Sequence, residues 1–264
     1  MNKIDARLRK IKKEGRLGLM THIVIGYPDM DKSPELAKMM IEAGVDFLEL
    51  QIPFSDPVAD GPTLMAANEA ALSSGATVKK ALAVMRRLSR TETPLLFMTY
   101  FNIVLQYGAL KFCRAAARAG CSGLIVPDIP LEEEAREHFI QAAEKNNLFA
   151  IRLLSPASTD ERLKLNSRAA KGFVYFTSRK GVTGSRRALA PDLAHHLARL
   201  KKHFSIPIAV GFGLSAPEHL KQLKGKADIA VVGSAITDTF NRAPIGQKVQ
   251  SVHRLVKKLI KNCY

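Results

Sequence analysis

Short apolar segments alternate with longer amphipathic segments along the whole chain. The apolar segments are mostly bounded by glycine, proline or other turn residues, and their length and aliphatic content are typical of strands rather than helices. Eight strands are predicted, at residues 18–25, 46–52, 95–99, 123–126, 148–153, 172–176, 207–210 and 228–232.

The amphipathic segments carry helix start and stop signals. Ser33 and Thr77 are placed to cap helices at their N-termini. In the N-terminal segment, Ile4, Leu8 and Ile11 share one face of a helix that we expect to lie on the surface. Helices are predicted at residues 1–13, 33–43, 63–74, 77–88, 108–119, 131–145, 191–202, 216–223 and 247–261, with others beginning near 159 and at 235.

The repeated strand-then-helix order predicts the fold class. The predicted strands are apolar on both faces, as are the buried strands of parallel sheets. Eight such units in succession favour an α/β fold, a (β/α)8 TIM barrel with extra short helices. An open, doubly wound sheet is the alternative, although no early turn carries the G-x-G-x-x-G fingerprint of its dinucleotide-binding form. Since the chain has no linker or low-complexity tract, residues 1–264 are expected to form a single domain.

Composition limits the classes of partner. The formal net charge is +16 and the sequence pI is about 9.9, which raises nucleic acid as a possible partner. The basic residues are spread over many segments, however, and no zinc finger, basic zipper or RNA-binding sheet motif accompanies them. We therefore expect solvated helix faces and no nucleic-acid partner.

Membrane, secretory and metal-binding signals are missing from the sequence. No apolar run approaches the ~20 residues that span a bilayer, and residues 1–13 lack the apolar core of a signal peptide. Cys113, Cys121 and Cys263 have no metal-ligand spacing and leave one thiol unpaired. We expect a cytoplasmic protein that binds neither membrane nor metal.

Residues 46–61 combine a buried strand with acidic side chains. Glu49 lies inside the apolar strand, where a carboxylate is costly unless it is paired or protonated, so it is a candidate proton carrier. Pro53 ends the strand, and Asp56 and Asp60 follow on the loop. The alternative for Glu49 is a structural acid tied to an arginine or to a backbone amide.

Other unusual residues follow the predicted strands, at the end of the barrel where active sites lie. Tyr100, Asp128 and Tyr175 lie at the ends of strands three, four and six. After strands seven and eight, the amides of Gly213 and Ser234 are placed to bind one phosphate group. This is the usual position of a phosphate site in such barrels.

The polar loop of residues 177–190 follows strand six and is long enough to close over a ligand. Its Lys180 raises a rival chemistry, a Schiff-base aldolase. That chemistry is disfavoured because it needs a desolvated lysine on a strand, and Lys180 is predicted on the loop.

The segments that carry these residues resemble the tryptophan synthase alpha subunit family over nearly the whole chain. The most specific match is residues 49–62, Glu-Leu-Gln-Ile-Pro-Phe-Ser-Asp-Pro-Val-Ala-Asp-Gly-Pro, which is close to the family's signature. The supporting matches, in the same order as in the family, are residues 98–102, 123–130, 178–184, 210–213 and 232–235.

The resemblance implies a carbon–carbon lyase that cleaves indole-3-glycerol phosphate into indole and glyceraldehyde 3-phosphate. Glu49 is then expected to protonate the indole ring carbon and to take the proton from the side-chain hydroxyl. Asp60 is expected to stabilise positive charge at the indole nitrogen. The residues expected to bind the substrate are Tyr100, Ile125, Tyr175, Thr183, Gly184, Phe212, Gly213, Gly233 and Ser234.

The resemblance also implies a partner, a tryptophan synthase beta subunit that receives the indole within an alpha2beta2 heterotetramer. Pyridoxal phosphate is expected only in that partner, no cofactor is expected in this chain, and the loop around Asp56 is expected to face the partner. The chain departs from the family pattern at His22, where an aromatic residue is common, and at Gln51, where glycine is usual. A non-catalytic regulator of the beta subunit is the alternative function.

Overall fold

Eight parallel strands form a closed barrel in the computed structural model, which describes residues 1–177, 192–211, 213–214 and 216–264. Each strand pairs with the next along the chain, and β8 pairs with β1. This confirms the predicted (β/α)8 fold and excludes the open, doubly wound sheet. The strands are β1 (Gly18–Val24), β2 (Phe47–Gln51), β3 (Leu95–Met98), β4 (Gly123–Ile125), β5 (Phe149–Leu154), β6 (Val174–Thr177), β7 (Ile208–Gly211) and β8 (Ile229–Val232).

Helices surround the barrel, and the largest apolar cluster lies between them and the outer face of the strands. Within the described part of the chain, no helix is long and apolar enough to cross a membrane. The helices are α1 (Lys3–Glu14), α2 (Lys32–Ala43), α3 (Pro62–Ser73), α4 (Val78–Leu88), α5 (Phe101–Tyr107), α6 (Ala109–Arg118), a 3-10 turn (Leu131–Glu133), α7 (Glu134–Glu137), α8 (Phe139–Lys145), α9 (Asp160–Ala169), α10 (Leu193–His203), α11 (Pro217–Leu223), α12 (Ser234–Arg242) and α13 (Lys248–Lys261).

Alternate residues of the strands point into the barrel, where side chains fill the interior in layers. One layer contains Phe47 and Phe173, whose rings meet edge to face with centroids 5.8 Å apart, together with Leu96. Two residues after Phe47, Glu49 of β2 lies in register with His22 of β1. The acid therefore lies above a packed apolar floor.

Helix α1 does not lie on the surface as expected, because it closes the N-terminal end of the barrel. Ile4 and Ile11 are only 0% and 3% exposed, and both belong to the apolar cluster of the barrel interior. The side chain of Asn2 caps the helix by accepting a hydrogen bond from the amide of Ile4 at 2.9 Å. The face of α1 that carries Ile4, Leu8 and Ile11 is thus its buried face, and it packs against the side chains that close the bottom of the barrel.

Helix boundaries confirm some local predictions and correct others. Thr77 caps α4, as predicted. Ser33 does not cap α2; it lies inside the helix and accepts a hydrogen bond from the amide of Gly26 at 2.8 Å. The helix predicted at residues 131–145 is divided into the 3-10 turn, α7 and α8, and the break between α7 and α8 falls at His138, which takes up a left-handed conformation with φ of 50°.

Candidate active site

A pocket opens at the C-terminal ends of the barrel strands, and the space between its lining atoms, including the part open to solvent, is about 590 Å³. Seven of the residues proposed from the sequence line it: Glu49, Asp60, Ile125, Tyr175, Gly213, Gly233 and Ser234. The two acids and the glycine turns therefore face the same pocket. The remaining lining residues are His22, Ala59, Leu64, Met98, Pro127, Leu153, Leu214 and Val231.

Glu49 lies on β2 and is 3% exposed. Its Oε1 lies 3.2 Å from Nδ1 of His22 on the neighbouring strand. Its Oε2 is buried and has no hydrogen-bond partner among the described residues. The partner of this acid is therefore a histidine rather than the arginine or backbone amide of the structural alternative, and one carboxylate oxygen remains available to a ligand.

His22 is held between opposing electrostatic effects. Burial of the ring by itself lowers the pKa of His22, but neighbouring groups oppose it, first the negative charge of Glu49 and then its hydrogen bond, and the net result is a pKa above the ordinary value. Asp60 and Gln51 act in the same direction. Positive charge on the imidazole is thus favoured beside the candidate proton carrier.

Asp60 lies on the loop after β2 and is 2% exposed. Its Oδ2 accepts hydrogen bonds from the side-chain amides of Gln51 at 2.6 Å and Asn68 at 3.2 Å. Burial raises the pKa of Asp60, and the hydrogen bond from Gln51 and the charge of His22 partly counter that rise. The two acids therefore have different partners, amides for Asp60 and an imidazole for Glu49.

Asn68, on α3, joins this loop to the helix that follows it. Its amide nitrogen also donates to the carbonyl oxygen of Leu64 at 2.8 Å, and its carbonyl oxygen accepts from the amide of Phe54 at 3.0 Å. Asn68 is not among the site residues predicted from the sequence. A signal was present, because Asn68 is an isolated amide among the apolar residues of a helix, where a buried polar group needs partners.

Tyr100 and Asp128 support the loops around the cavity. The hydroxyl of Tyr100 accepts a hydrogen bond from the amide of Ala59 at 3.1 Å, and its ring stacks on Phe54 with centroids 5.3 Å apart. The carboxylate of Asp128 accepts from the amide of Phe101 at 2.8 and 3.0 Å, at the start of α5. These contacts position the loop that carries Asp60 and explain the extra helix after β3.

Close packing and backbone conformation shape the side of the site that is formed by the ends of β6, β7 and β8. A Cβ atom at Gly211 would lie 2.5 Å from the hydroxyl oxygen of Tyr175, so only glycine fits there. Gly213 has φ of 86°, in the region that glycine adopts without strain. Gly233 is the N-cap of the nine-residue helix α12, which begins at Ser234 and whose N-terminal amides suit an anion.

The remaining sequence predictions concern residues outside the described part of the chain. Thr183, Gly184 and Phe212, as substrate-binding residues, lie there, and so does Lys180, the residue of the aldolase alternative. The proposed closing loop, apart from Thr177 at its start, lies there as well.

Comparisons with known proteins agree with this arrangement. The tryptophan synthase alpha chain family model matches residues 8–263. A tryptophan synthase alpha chain of Desulforapulum autotrophicum is 42% identical over 257 residues, which cover 97% of this chain and 99% of that protein. One of Caldanaerobacter subterraneus is 40% identical, over 95% of this chain and 96% of that protein. A solved structure of Mycobacterium tuberculosis tryptophan synthase has a TM-score of 0.90 and 34% identity, covering 99% of this chain and 98% of that one.

Proposed function

The chain belongs to the tryptophan synthase alpha chain family, and on that premise we propose that it cleaves indole-3-glycerol phosphate to indole and glyceraldehyde 3-phosphate. The observation that carries the proposal is the single cavity in which Glu49, Asp60, Gly213 and Ser234 meet. Two acids suit the indole half of this substrate, and helix amides suit its phosphate.

Glu49 is proposed as the acid and base of the reaction. It donates a proton to the ring carbon that carries the glycerol phosphate side chain, and it accepts the proton of the adjacent side-chain hydroxyl. The carbon–carbon bond breaks as that hydroxyl becomes the aldehyde, so the reaction neither gains nor loses a proton. The burial of Glu49 supports this role, and so does its Oε2, which has no hydrogen-bond partner among the described residues.

Asp60 is proposed to stabilise the positive charge that develops on the indole nitrogen. The carboxylate is fixed in place by Gln51 and Asn68, so it needs no rearrangement during the reaction. Tyr175 and Ile125 contribute to the walls around the ring. Burial, and after it the charges of Glu49 and Asp60, raises the pKa of Tyr175 well above its ordinary value, so its phenol stays neutral.

The phosphate is proposed to bind between the turn after β7 and the start of α12. Gly213, Gly233 and Ser234 bring backbone amides to this side of the cavity, and the helix dipole of α12 favours negative charge there. Thr183, Gly184 and Phe212 are proposed to complete the substrate contacts, and Tyr100 is proposed to contribute to binding by holding the Asp60 loop.

A beta subunit is the proposed acceptor of the indole, in an alpha2beta2 heterotetramer. Pyridoxal phosphate belongs to the beta subunit of this family. We propose that the present chain forms a single domain, acts in the cytoplasm and needs no cofactor of its own. Exposed apolar side chains on the loop after β2, which also carries Asp56, and on α3 support a docking surface there. They are Val58, Met65 and Leu72, which are 72%, 48% and 37% exposed.

Indole release from indole-3-glycerol phosphate, followed with and without a beta subunit, tests the proposal. The purified chain is expected to release indole slowly alone and faster in the complex. If indole release is undetectable in both cases while beta activity rises on mixing, the chain is a regulator and the proposed catalysis is wrong.

A further inference from the structure

His22 and Glu49 form a buried pair with unused hydrogen-bonding atoms on both sides. Their side chains are 6% and 4% exposed, and Nδ1 of His22 lies 3.2 Å from Oε1 of Glu49. Nε2 of His22 and Oε2 of Glu49 are buried without a hydrogen-bond partner in the described residues. Since a buried polar atom without a partner is costly, these two atoms point to partners supplied by a ligand in the cavity they line.

The backbone fixes the geometry of this pair. His22 and Glu49 are partners in the β1–β2 register, so their side chains leave neighbouring strands side by side. On the other side, His22 packs against Gly233, where an added Cβ would lie 3.5 Å from Cβ of His22. Two strands and a glycine turn therefore set the position of the imidazole beside the acid.

The charged surroundings favour a proton on this pair. Among the described residues that line the cavity, the other titratable groups facing His22 and Glu49 are Asp60 and Tyr175, and none is a lysine or an arginine. Asp60 attracts positive charge to the imidazole, and Tyr175 stays neutral. The imidazolium thus has two acids nearby and no described cation lining the same space.

We propose that His22 is a positioning residue for the cleavage reaction and that it shares one proton with Glu49. The role of His22 in cleavage rests on the proposed function, whereas the shared proton does not. The shared proton moves between Nδ1 of His22 and Oε1 of Glu49, so the pair alternates between imidazolium with carboxylate and imidazole with carboxylic acid. Glu49 gives one proton to the ring carbon and the pair regains one from the substrate hydroxyl, which balances the cycle.

The shared proton extends the pH range of the acid. Because the pKa of His22 is raised, the imidazole still holds a proton at a pH where a carboxylate without this partner has released its own. The pair consequently keeps an acid available to the substrate as the pH rises. When the pH passes the pKa of the paired histidine, this supply is lost.

A titration without substrate tests the pair directly. The ring signals of His22 are followed by NMR against pH in the wild type and in Glu49→Gln, and they are assigned by their disappearance in His22→Asn. The pKa of His22 is expected to be lower in Glu49→Gln, because burial opposes the imidazolium once the carboxylate charge is gone. An unchanged titration overturns the shared proton. This readout needs no activity, so a wild type that releases no indole refutes the proposed function and leaves the pair to be decided here.

The pH profile of kcat/KM tests the catalytic part. His22→Asn keeps an N–H donor near the position of Nδ1 but cannot titrate. The reduction in its kcat/KM relative to the wild type is therefore expected to grow from about threefold near pH 6 to about tenfold or more near pH 9. A constant ratio at every pH overturns proton sharing. His22→Phe, which keeps a ring in the same space, repeats the test if the asparagine variant folds poorly, and circular dichroism checks both.

A neighbouring substitution provides the matched control. Thr21 of β1 is buried next to His22 in sequence, its side chain faces the other side of the strand, and its Oγ1 has no described hydrogen-bond partner. Thr21→Val changes the same strand without removing a hydrogen bond, so it is expected to keep the wild-type pH profile. If its profile changes as that of His22→Asn does, disturbance of β1 explains both results and the proposal is overturned.

Discussion

The side-chain amide of Gln51 donates a 2.6 Å hydrogen bond to Oδ2 of Asp60. Gln51 lies two residues after Glu49 on β2, so both side chains point into the barrel. One strand therefore carries the first acid of the site and the group that holds the second. This arrangement ties the position of the Asp60 loop to the rigid barrel.

Gln51→Ala is expected to move the acid limb of the kcat/KM profile to higher pH. The Gln51 hydrogen bond lowers the pKa of Asp60 against the rise caused by burial, so its loss raises that pKa further. Activity that needs ionised Asp60 then falls away at a higher pH than in the wild type, which a pH–rate profile measures. Gln250→Ala, at an exposed position, is the control and should leave the profile unchanged. An unmoved acid limb in Gln51→Ala contradicts the role given to this hydrogen bond.

Gly211→Ala is expected to destabilise the protein by about 1–3 kcal/mol and to weaken substrate binding, because the new methyl group overlaps the ring of Tyr175. Denaturant unfolding and KM measure the two effects. In a Tyr175→Leu background the same substitution should cost less, since the overlapping ring is gone. Equal costs in both backgrounds contradict the steric explanation.

Ser234→Asp is expected to raise KM for indole-3-glycerol phosphate at least about tenfold, because a carboxylate at the start of α12 repels the phosphate and competes for the same amides. Steady-state kinetics measure the change. Ser205→Asp makes the same charge change at an exposed position and should leave KM nearly unaltered. Similar effects in the two variants would mean that overall charge, rather than a phosphate site, governs binding.

Asp46→Ala is expected to lower the free energy of unfolding by about 3–5 kcal/mol, because it leaves the guanidinium of Arg16 buried without its main partner. Asp46 accepts hydrogen bonds from Arg16 at 2.7 and 2.8 Å, and the two side chains are 3% and 7% exposed. Urea denaturation measures the loss. Lys38→Ala, which breaks an exposed pair with Glu42, should cost less than about 1 kcal/mol. A comparable loss in both variants contradicts the importance of burial.

The fold was predictable from local patterns, because eight buried strands and their helices each leave a periodic signal. Element ends were less predictable. The residues around His138 give no sequence signal for its left-handed conformation. The extra helix α5 begins where the amide of Phe101 donates to Asp128, which lies after the next strand, β4. The position of α1 under the barrel depends on contacts between residues far apart in the chain, which periodicity does not specify.

The acids of the site were predictable because they break an apolar pattern or follow it directly. Their partners were not predicted as partners: His22 and Gln51 were noted only as departures from a family pattern, and Asn68 was missed. Which side chain meets Glu49 depends on the register of β1 and β2, and which amides meet Asp60 depends on how the loop folds back. Both are tertiary relationships.

Glu49 and Asp60 are proposed to act on one ligand in one cavity, and the rates of indole release by Glu49→Gln, Asp60→Asn and the double variant measure whether they do. Each single variant is expected to lose at least about a hundredfold in kcat, and the double variant to lose no more than the worse single one, because the two groups act as a unit. Glu42→Gln, at an exposed position, should keep the wild-type rate. Near-wild-type indole release by Glu49→Gln, or single-variant losses that multiply in the double variant, would mean that the two acids do not act together on one ligand.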